Sequence, residues 1–245
     1  MKQTLSPVLS AIALALAAGS AHAQIVNGQF TGLAGWATAG DAASVSVGGN
    51  HLVLTNAWSD GSDDGDGVNR NVSGSNPWPA GGGAGSLEQF IGVAGGAFDP
   101  DPASFVQAIE GSAALQTFSA AAGSRLSFRW DLVTTQVDGD ATLADAAFVV
   151  IDGQVTLLAN TLAAGSALGG GDYASETGWA GWSTTLAGSG THTIAFGVVD
   201  VGSAANTSAL NVTDVSLSAV PEAPVLAMFG AGLGLLALCR RRARS

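Results

Sequence analysis

The chain has 245 residues, of which 35 are glycine and one is cysteine, and its formal net charge is −11 at pH 7. Between residues 24 and 219 the imbalance is larger: three arginines stand against 18 aspartates and glutamates, a net charge of −15. So acidic a surface repels phosphates, which excludes nucleic-acid binding. The single cysteine, Cys239, excludes a disulfide framework and leaves residues 24–219 without a thiol nucleophile.

Residues 1–23 have the organisation of a secretory signal peptide. Lys2 supplies positive charge, residues 8–18 are apolar, and Ala21-His22-Ala23 matches the small-x-small pattern at which signal peptidase cleaves. Cleavage between Ala23 and Gln24 starts the mature chain at Gln24. We therefore expect export, and a single extracytoplasmic domain over residues 24–219.

Apolar and polar residues alternate with a period of two through much of this domain, which predicts β-strands. The clearest case is 126–132, where Leu, Phe, Trp and Leu alternate with Ser, Arg and Asp. Asp152-Gly153, between two predicted strands, predicts a tight hairpin turn. The pattern favours an all-β fold, a jelly-roll-like antiparallel β-sandwich, with an up-and-down barrel as the alternative. The other predicted strands are 43–47, 51–55, 113–118, 146–151, 154–158, 178–186, 191–201 and 210–217.

The start of the domain carries a recognisable motif. Residues 25–30, Ile-Val-Asn-Gly-Gln-Phe, followed by Gly35-Trp36, resemble the opening of galactose-binding-like sandwiches, which include carbohydrate-binding modules. Residues 115–130 and the closing segment 211–217 are similar to later strands of such domains. The resemblance implies a buried Trp36 and a carbohydrate-binding role. Members with a structural calcium often have glutamate after the Phe, where this chain has Thr31, and Asp214 at the closing position cannot hold the ion alone.

The acidic loop 60–67 is the better cation candidate. Asp60, Ser62 and Asp64 occupy the first, third and fifth positions of an EF-hand-like spacing, with Gly65 sixth and Asp66 close by. Asn71 stands where the bidentate glutamate is expected, and no flanking helices are predicted. Two interpretations stay open: a weak Ca²⁺ site, or a solvated acidic loop. No other cofactor is indicated.

Residues 61–104 are rich in Gly, Pro and Asp, which predicts a long irregular insertion. Within it, the apolar segment 87–93 is expected to pack onto the sandwich.

Four tryptophans near glycine-rich loops are candidate ligand-binding residues, because aromatic faces stack on sugar rings. The alternative for each is ordinary packing, and Trp130, which alternates with buried positions, is expected in the core. The four are Trp58, Trp78, Trp179 and Trp182.

The sequence contains no recognisable catalytic set. The domain has two histidines, His51 and His192, and neither a G-x-S-x-G nor a His-Glu-x-x-His motif. We expect a protein that is not an enzyme; a carboxylate pair acting as glycoside hydrolase or lyase is the less favoured alternative.

The segment 220–245 has three parts in order: Pro221-Glu222-Ala223, an apolar run over 225–239, and the basic residues Arg240, Arg241, Arg242 and Arg244. As a helix the run is about 22 Å long, a marginal membrane span. Positive charge keeps the arginines cytoplasmic and the domain on the far side of the inner membrane.

This order resembles the PEP-CTERM sorting signal of Gram-negative bacteria that make exopolysaccharide, which an exosortase cleaves. The usual third motif residue is proline, where Ala223 stands here. The resemblance implies an exported surface or matrix protein, structural or adhesive, associated with exopolysaccharide or biofilm, whose tail anchors it in the inner membrane transiently or permanently. The other function hypothesis is a carbohydrate-binding module that uses the loop tryptophans, with or without Ca²⁺.

Overall fold

The computed structural model describes residues 24–62, 67–100, 105–137 and 139–218, together with Gly232. The predicted signal peptide 1–23, the Pro221-Glu222-Ala223 motif and the arginine cluster therefore lie outside the described residues. Within the described part of the chain, no helix has the length and apolar character needed to cross a membrane.

The domain is built from antiparallel strands in two sheets. In chain order the strands are β1 (Ala37–Ala39), β2 (Asp41–Val45), β3 (His51–Thr55), β4 (Trp78–Pro79), β5 (Ala108–Ala120), β6 (Arg125–Thr134), β7 (Ala146–Ile151), β8 (Gln154–Asn160), β9 (Ser166–Ala167), β10 (Ser175–Glu176), β11 (Ala180–Thr185), β12 (Gly190–Val201) and β13 (Ser208–Ser218). The first sheet has the order β1-β5-β12-β7-β8, with β4 also paired to β5; the second has the order β2-β3-β13-β6-β10-β9, with β11 also paired to β6. The predicted all-β class and antiparallel sandwich are confirmed.

Aromatic rings fill the space between the sheets. Trp36 lies 5.1 Å from Phe30 and 5.7 Å from Phe196, and Phe128 meets Phe196 edge-on at 4.7 Å, all between ring centroids. Trp36 and Trp130 are 7% and 8% exposed, so their predicted place in the core is confirmed. The inward positions of β6 are the apolar members of its alternation, because successive side chains of a strand point to opposite faces.

The hairpin turn at Asp152-Gly153 is confirmed. Both residues have positive φ, 50° and 78°, as a type I′ turn requires. Asp152 also accepts hydrogen bonds from the Thr193 N–H and from Nδ1 of His192, 2.9 and 2.7 Å away. Burial alone would raise the pKa of Asp152, but these two hydrogen bonds outweigh it and lower the pKa. The His192–carboxylate pair thus holds the turn against β12.

The insertion covers the outer face of the first sheet. It contains a short helix, α1 (Leu87–Ile91), which begins at the Ser86 side chain and ends at Gly92, φ 85°. Leu87 and Ile91 are buried in an apolar cluster with residues from β5, β7 and β12 on the face away from the central core. The expected packing of 87–93 is confirmed, whereas the expectation of an irregular insertion missed α1 and β4.

Candidate functional site

The outer face of the second sheet is open over part of its length. At one end, Leu168 and Tyr173 pack over an apolar patch formed by Val53, Val133 and Ala209. At the other end, where β6 lies between β11 and β13, the outward side chains are polar and mostly exposed. α1 packs on part of the outer face of the first sheet, whereas this end of the second sheet is, among the described residues, a broad surface that a ligand can reach.

A groove of about 460 Å³ runs over these three strands. Such a volume lies within the range of small-molecule and sugar sites. The groove is lined by Arg125, Ser127, Phe128 and Arg129 of β6, Gly181, Trp182 and Ser183 of β11, and Asp214 and Ser216 of β13.

A β-bulge in β13 shapes one wall of the groove. Thr213 pairs with Arg129 and Ser216 with Ser127, so two residues of β13 oppose one residue of β6. Asp214 takes a positive φ of 57°, and the next residue, Val215, turns into the core at 4% exposure. The bulge thereby leaves Asp214 on the groove wall, since bulges redirect side chains in this way.

Two arginines border the groove from the same strand. Arg125 donates from Nη2 to the Ser183 hydroxyl at 2.8 Å, and the guanidinium carbon of Arg129 lies 5.4 Å from the centre of the Trp179 ring. Within the described ranges, neither arginine has a carboxylate within salt-bridge distance. Both cations therefore remain available to a ligand.

Trp179 extends this surface as an exposed aromatic ring. It is 42% exposed, lies over Arg129, and meets His51 edge-on with ring centroids 6.0 Å apart. The cation–π contact and the histidine hold the ring in place. The ring thus offers an apolar face beside a polar groove.

Two of the other three candidate tryptophans, Trp58 and Trp78, lie away from that surface. Trp58 donates from Nε1 to Glu110 at 2.8 Å, and Trp78 pairs with Gly111 and meets Phe90 edge-on at 5.6 Å, so both lie beside β5 of the first sheet.

Trp182 belongs to β11 but faces the core side. It pairs with Phe128, and the two rings stack at 5.0 Å, while alternation places Gly181 and Ser183 outward. Trp182 contributes to the groove floor from below rather than presenting its ring to solvent.

The acidic loop is described only in part. The hydroxyl and then the backbone N–H of Ser62 donate to Asp60 and lower the pKa of its carboxyl. Asp64 and Asp66 lie outside the described residues. Among the residues that the structure does describe, no three histidine, cysteine or carboxylate side chains converge as metal ligands.

Of the groove residues, the sequence singled out Trp182 as a ligand-binding candidate and Asp214 only as an insufficient calcium ligand. The signal was present, because Arg125, Ser127 and Arg129 occupy alternate positions of the clearest predicted strand and therefore share its solvent face. The neighbours of that face, Ser183 and Asp214, depend on strand pairing and on the bulge.

No family model and no curated protein sequence matches the chain. Among solved structures, the chain is similar to the carbohydrate-binding module TmCBM61 in complex with β-1,4-galactotriose, at 10% identity and TM-score 0.38, over 82% of this chain and 100% of that one. It is also similar to the K1 cleaved adhesin domain of Lys-gingipain from Porphyromonas gingivalis W83, at 10% identity and TM-score 0.39, over 80% and 98%. A family 35 carbohydrate-binding module from an environmental isolate is similar at 13% identity and TM-score 0.22, over 51% and 85%. At these values the likeness says nothing about ligand or activity.

Proposed function

We propose that this chain is an exported surface protein whose sandwich binds polysaccharide along the groove of the second sheet. The observation that carries the proposal is the exposed Trp179 ring at the rim of an open groove lined by hydroxyl, carboxylate and guanidinium groups. Sugar rings present an apolar C–H face and a rim of hydroxyls, which need this combination.

The groove offers polar partners of both kinds. Ser127 and Ser216 are joined by a hydrogen bond of 3.0 Å between their hydroxyls, and Asp214 supplies an acceptor. Arg125 and Arg129 supply donors. Because the groove is open, it suits one side of an extended chain better than an enclosed monosaccharide.

The sequence of the termini supports export and sorting. An exosortase substrate needs two signals, and the sequence contains both. One is the signal-peptidase site at Ala23–Gln24, and the other is the motif Pro221-Glu222-Ala223 followed by an apolar run and four arginines. The partners are then signal peptidase, an exosortase-type enzyme and, transiently, the inner membrane. A surface or matrix location brings the groove into contact with exopolysaccharide.

Replacing Trp179 tests the site. We expect Trp179→Ala to weaken polysaccharide binding by about tenfold or more, because it removes the aromatic platform. Trp78→Ala is the matched control, since Trp78 is 36% exposed but lies on the first sheet. The affinity is measured with the full chain, purified in mild detergent, from its retardation in native gels that contain one of a panel of polysaccharides. Loss of binding in Trp78→Ala with Trp179→Ala unaffected would contradict the groove.

The mass of the protein recovered from its host tests the sorting proposal. We expect an N-terminus at Gln24 and a C-terminus near Glu222 or Ala223. A mass that still contains the apolar run and the arginines would instead identify a permanently anchored protein.

A further inference from the structure

We infer that the ligand of the groove is an acidic polysaccharide, an extended chain that carries uronic-acid carboxylates; this inference rests on the function proposed above. The starting observation is where the positive charge lies. Residues 24–219 contain three basic residues, and two of them, Arg125 and Arg129, line the groove. The third, Arg70, is 8% exposed and donates to the Asp172 carbonyl at 2.6 Å, away from the groove.

Neither arginine forms a salt bridge with a described carboxylate. Arg129 makes no hydrogen bond to another described residue, and its guanidinium carbon lies 5.4 Å from the centre of the Trp179 ring. Arg125 donates one N–H to the Ser183 hydroxyl. A guanidinium has five N–H donors, so each arginine retains enough donors for a bidentate bond to a carboxylate.

The local charge balance favours a carboxylate over a neutral sugar. Two guanidinium groups and the Asp214 carboxylate give the groove a net charge of about +1, within a domain whose net charge is −15. A domain this acidic repels anions in general, so an arginine pair with no described carboxylate at salt-bridge distance marks a place where an anion is attracted.

The spacing of the arginines indicates a polymer. They are four residues apart on one strand, so their backbone positions are about 13 Å apart. One small anion therefore bridges both poorly, whereas an extended chain with carboxylates at intervals can meet each in turn. Trp179 at the Arg129 end stacks on a sugar ring of the same chain.

The same balance argues against a densely sulfated chain. A polymer with several negative charges per sugar is repelled by the acidic domain as a whole. The groove, with a net charge of about +1, offsets only about one of those charges. Planar carboxylates also match the planar guanidinium fork. We therefore assign the carboxylate of uronic acids.

The test compares polygalacturonate with its fully methyl-esterified form, which has the same backbone without the charges. We expect the full chain, in mild detergent at fixed ionic strength, to bind the acid form at least tenfold more tightly. Monomeric galacturonate should compete poorly. Arg125→Gln with Arg129→Gln should weaken the binding of both forms, and that of the acid form more strongly, so that the preference falls to about threefold or less.

The charge control is the double variant Gln154→Glu with Thr156→Glu, which lowers the net charge by the same two units on exposed positions of β8, in the other sheet. It should keep the preference; losing it would show a general charge effect and overturn the inference. Equal binding of both forms, or binding of neither, also overturns it, as does dextran sulfate binding as tightly as polygalacturonate. Binding of both forms that still depends on Trp179 would leave the proposed function standing, and loss of binding to every polysaccharide in the panel would overturn both.

Discussion

Between pH 5 and pH 8 we expect the free energy of unfolding to fall by about 3 kcal/mol because of one buried carboxyl, Asp145. Burial raises the pKa of Asp145 to about 7, against hydrogen bonds from Ser208, Asn56 and the Val201 N–H that lower it. In the unfolded chain the group has its ordinary value of 3.8. The stabilisation from the neutral group is complete below pH 3.8 and is lost as the pH rises through 7, because the unfolded chain then releases the proton first.

The surroundings of Asp145 explain why its charge is costly there. The Asn56 amide donates to both Asp145 and Asp200, at 3.1 and 2.6 Å, so two carboxylates share one donor where neither side chain reaches solvent. The Ser208 hydroxyl donates a further bond of 2.7 Å to Asp145. Burial away from water disfavours the ionised carboxyl and is the dominant cause of the raised pKa, whereas the hydrogen bond with Asp200, like those from Ser208 and Asn56, acts in the opposite direction.

Asp145→Asn is the variant that isolates this effect. Asparagine has nearly the same shape and cannot ionise, so the pH-dependent loss should disappear and the variant should be more stable than the parent at pH 8. Urea unfolding of the full chain in mild detergent at pH 5 and pH 8 measures this loss, and the difference between parent and variant removes the contribution of the groups that both proteins share. An unchanged loss in Asp145→Asn would show that another group is responsible.

The strands were predictable because their alternation follows burial. In 126–132 the apolar residues face the core and the polar ones lie on the opposite face, so the period of two is visible without a structure; Ser127 and Arg129 reach solvent there, whereas Asp131 is buried beneath Thr177. The strands β1, β4, β9 and β10 have two or three residues each, too few for a period to appear. Their existence depends on pairing that the fold sets: β1 and β4 pair with β5, β10 pairs with β6, and β9 pairs with β10.

The candidate site was predictable only in part. The strand predicted over 178–186 already separates Trp179 from Trp182, because residues three apart on a strand face opposite sides. That Trp179 meets Arg129 and His51 depends on which strands are neighbours. The groove wall at Asp214 needs the bulge, which arises where the Val215 N–H bonds to the Gly28 carbonyl at 2.9 Å, and no local pattern encodes that contact.

The largest expected effect on stability comes from Phe30, in the opening motif at residues 25–30. We expect Phe30→Ala to lower the free energy of unfolding by about 3–5 kcal/mol. Phe30 is fully buried, its ring lies 5.1 Å from Trp36, and its carbonyl accepts from the Ser44 hydroxyl at 2.5 Å. Truncation leaves a cavity between the sheets and loosens the segment whose Gly28 supports the bulge beside the groove.

Phe105→Ala is the matched control for that loss, because Phe105 is fully exposed and the same truncation should change stability by less than about 0.5 kcal/mol. Both variants are unfolded in urea at pH 5, where Asp145 is neutral in the folded protein. The stability loss from the cavity is then measured apart from the loss caused by ionisation of Asp145. A loss in Phe30→Ala no larger than in Phe105→Ala would show that the motif does not help to close the sandwich. If the loss is as large as expected but folded Phe30→Ala still binds polysaccharide, the motif serves the fold and the groove keeps its shape without it.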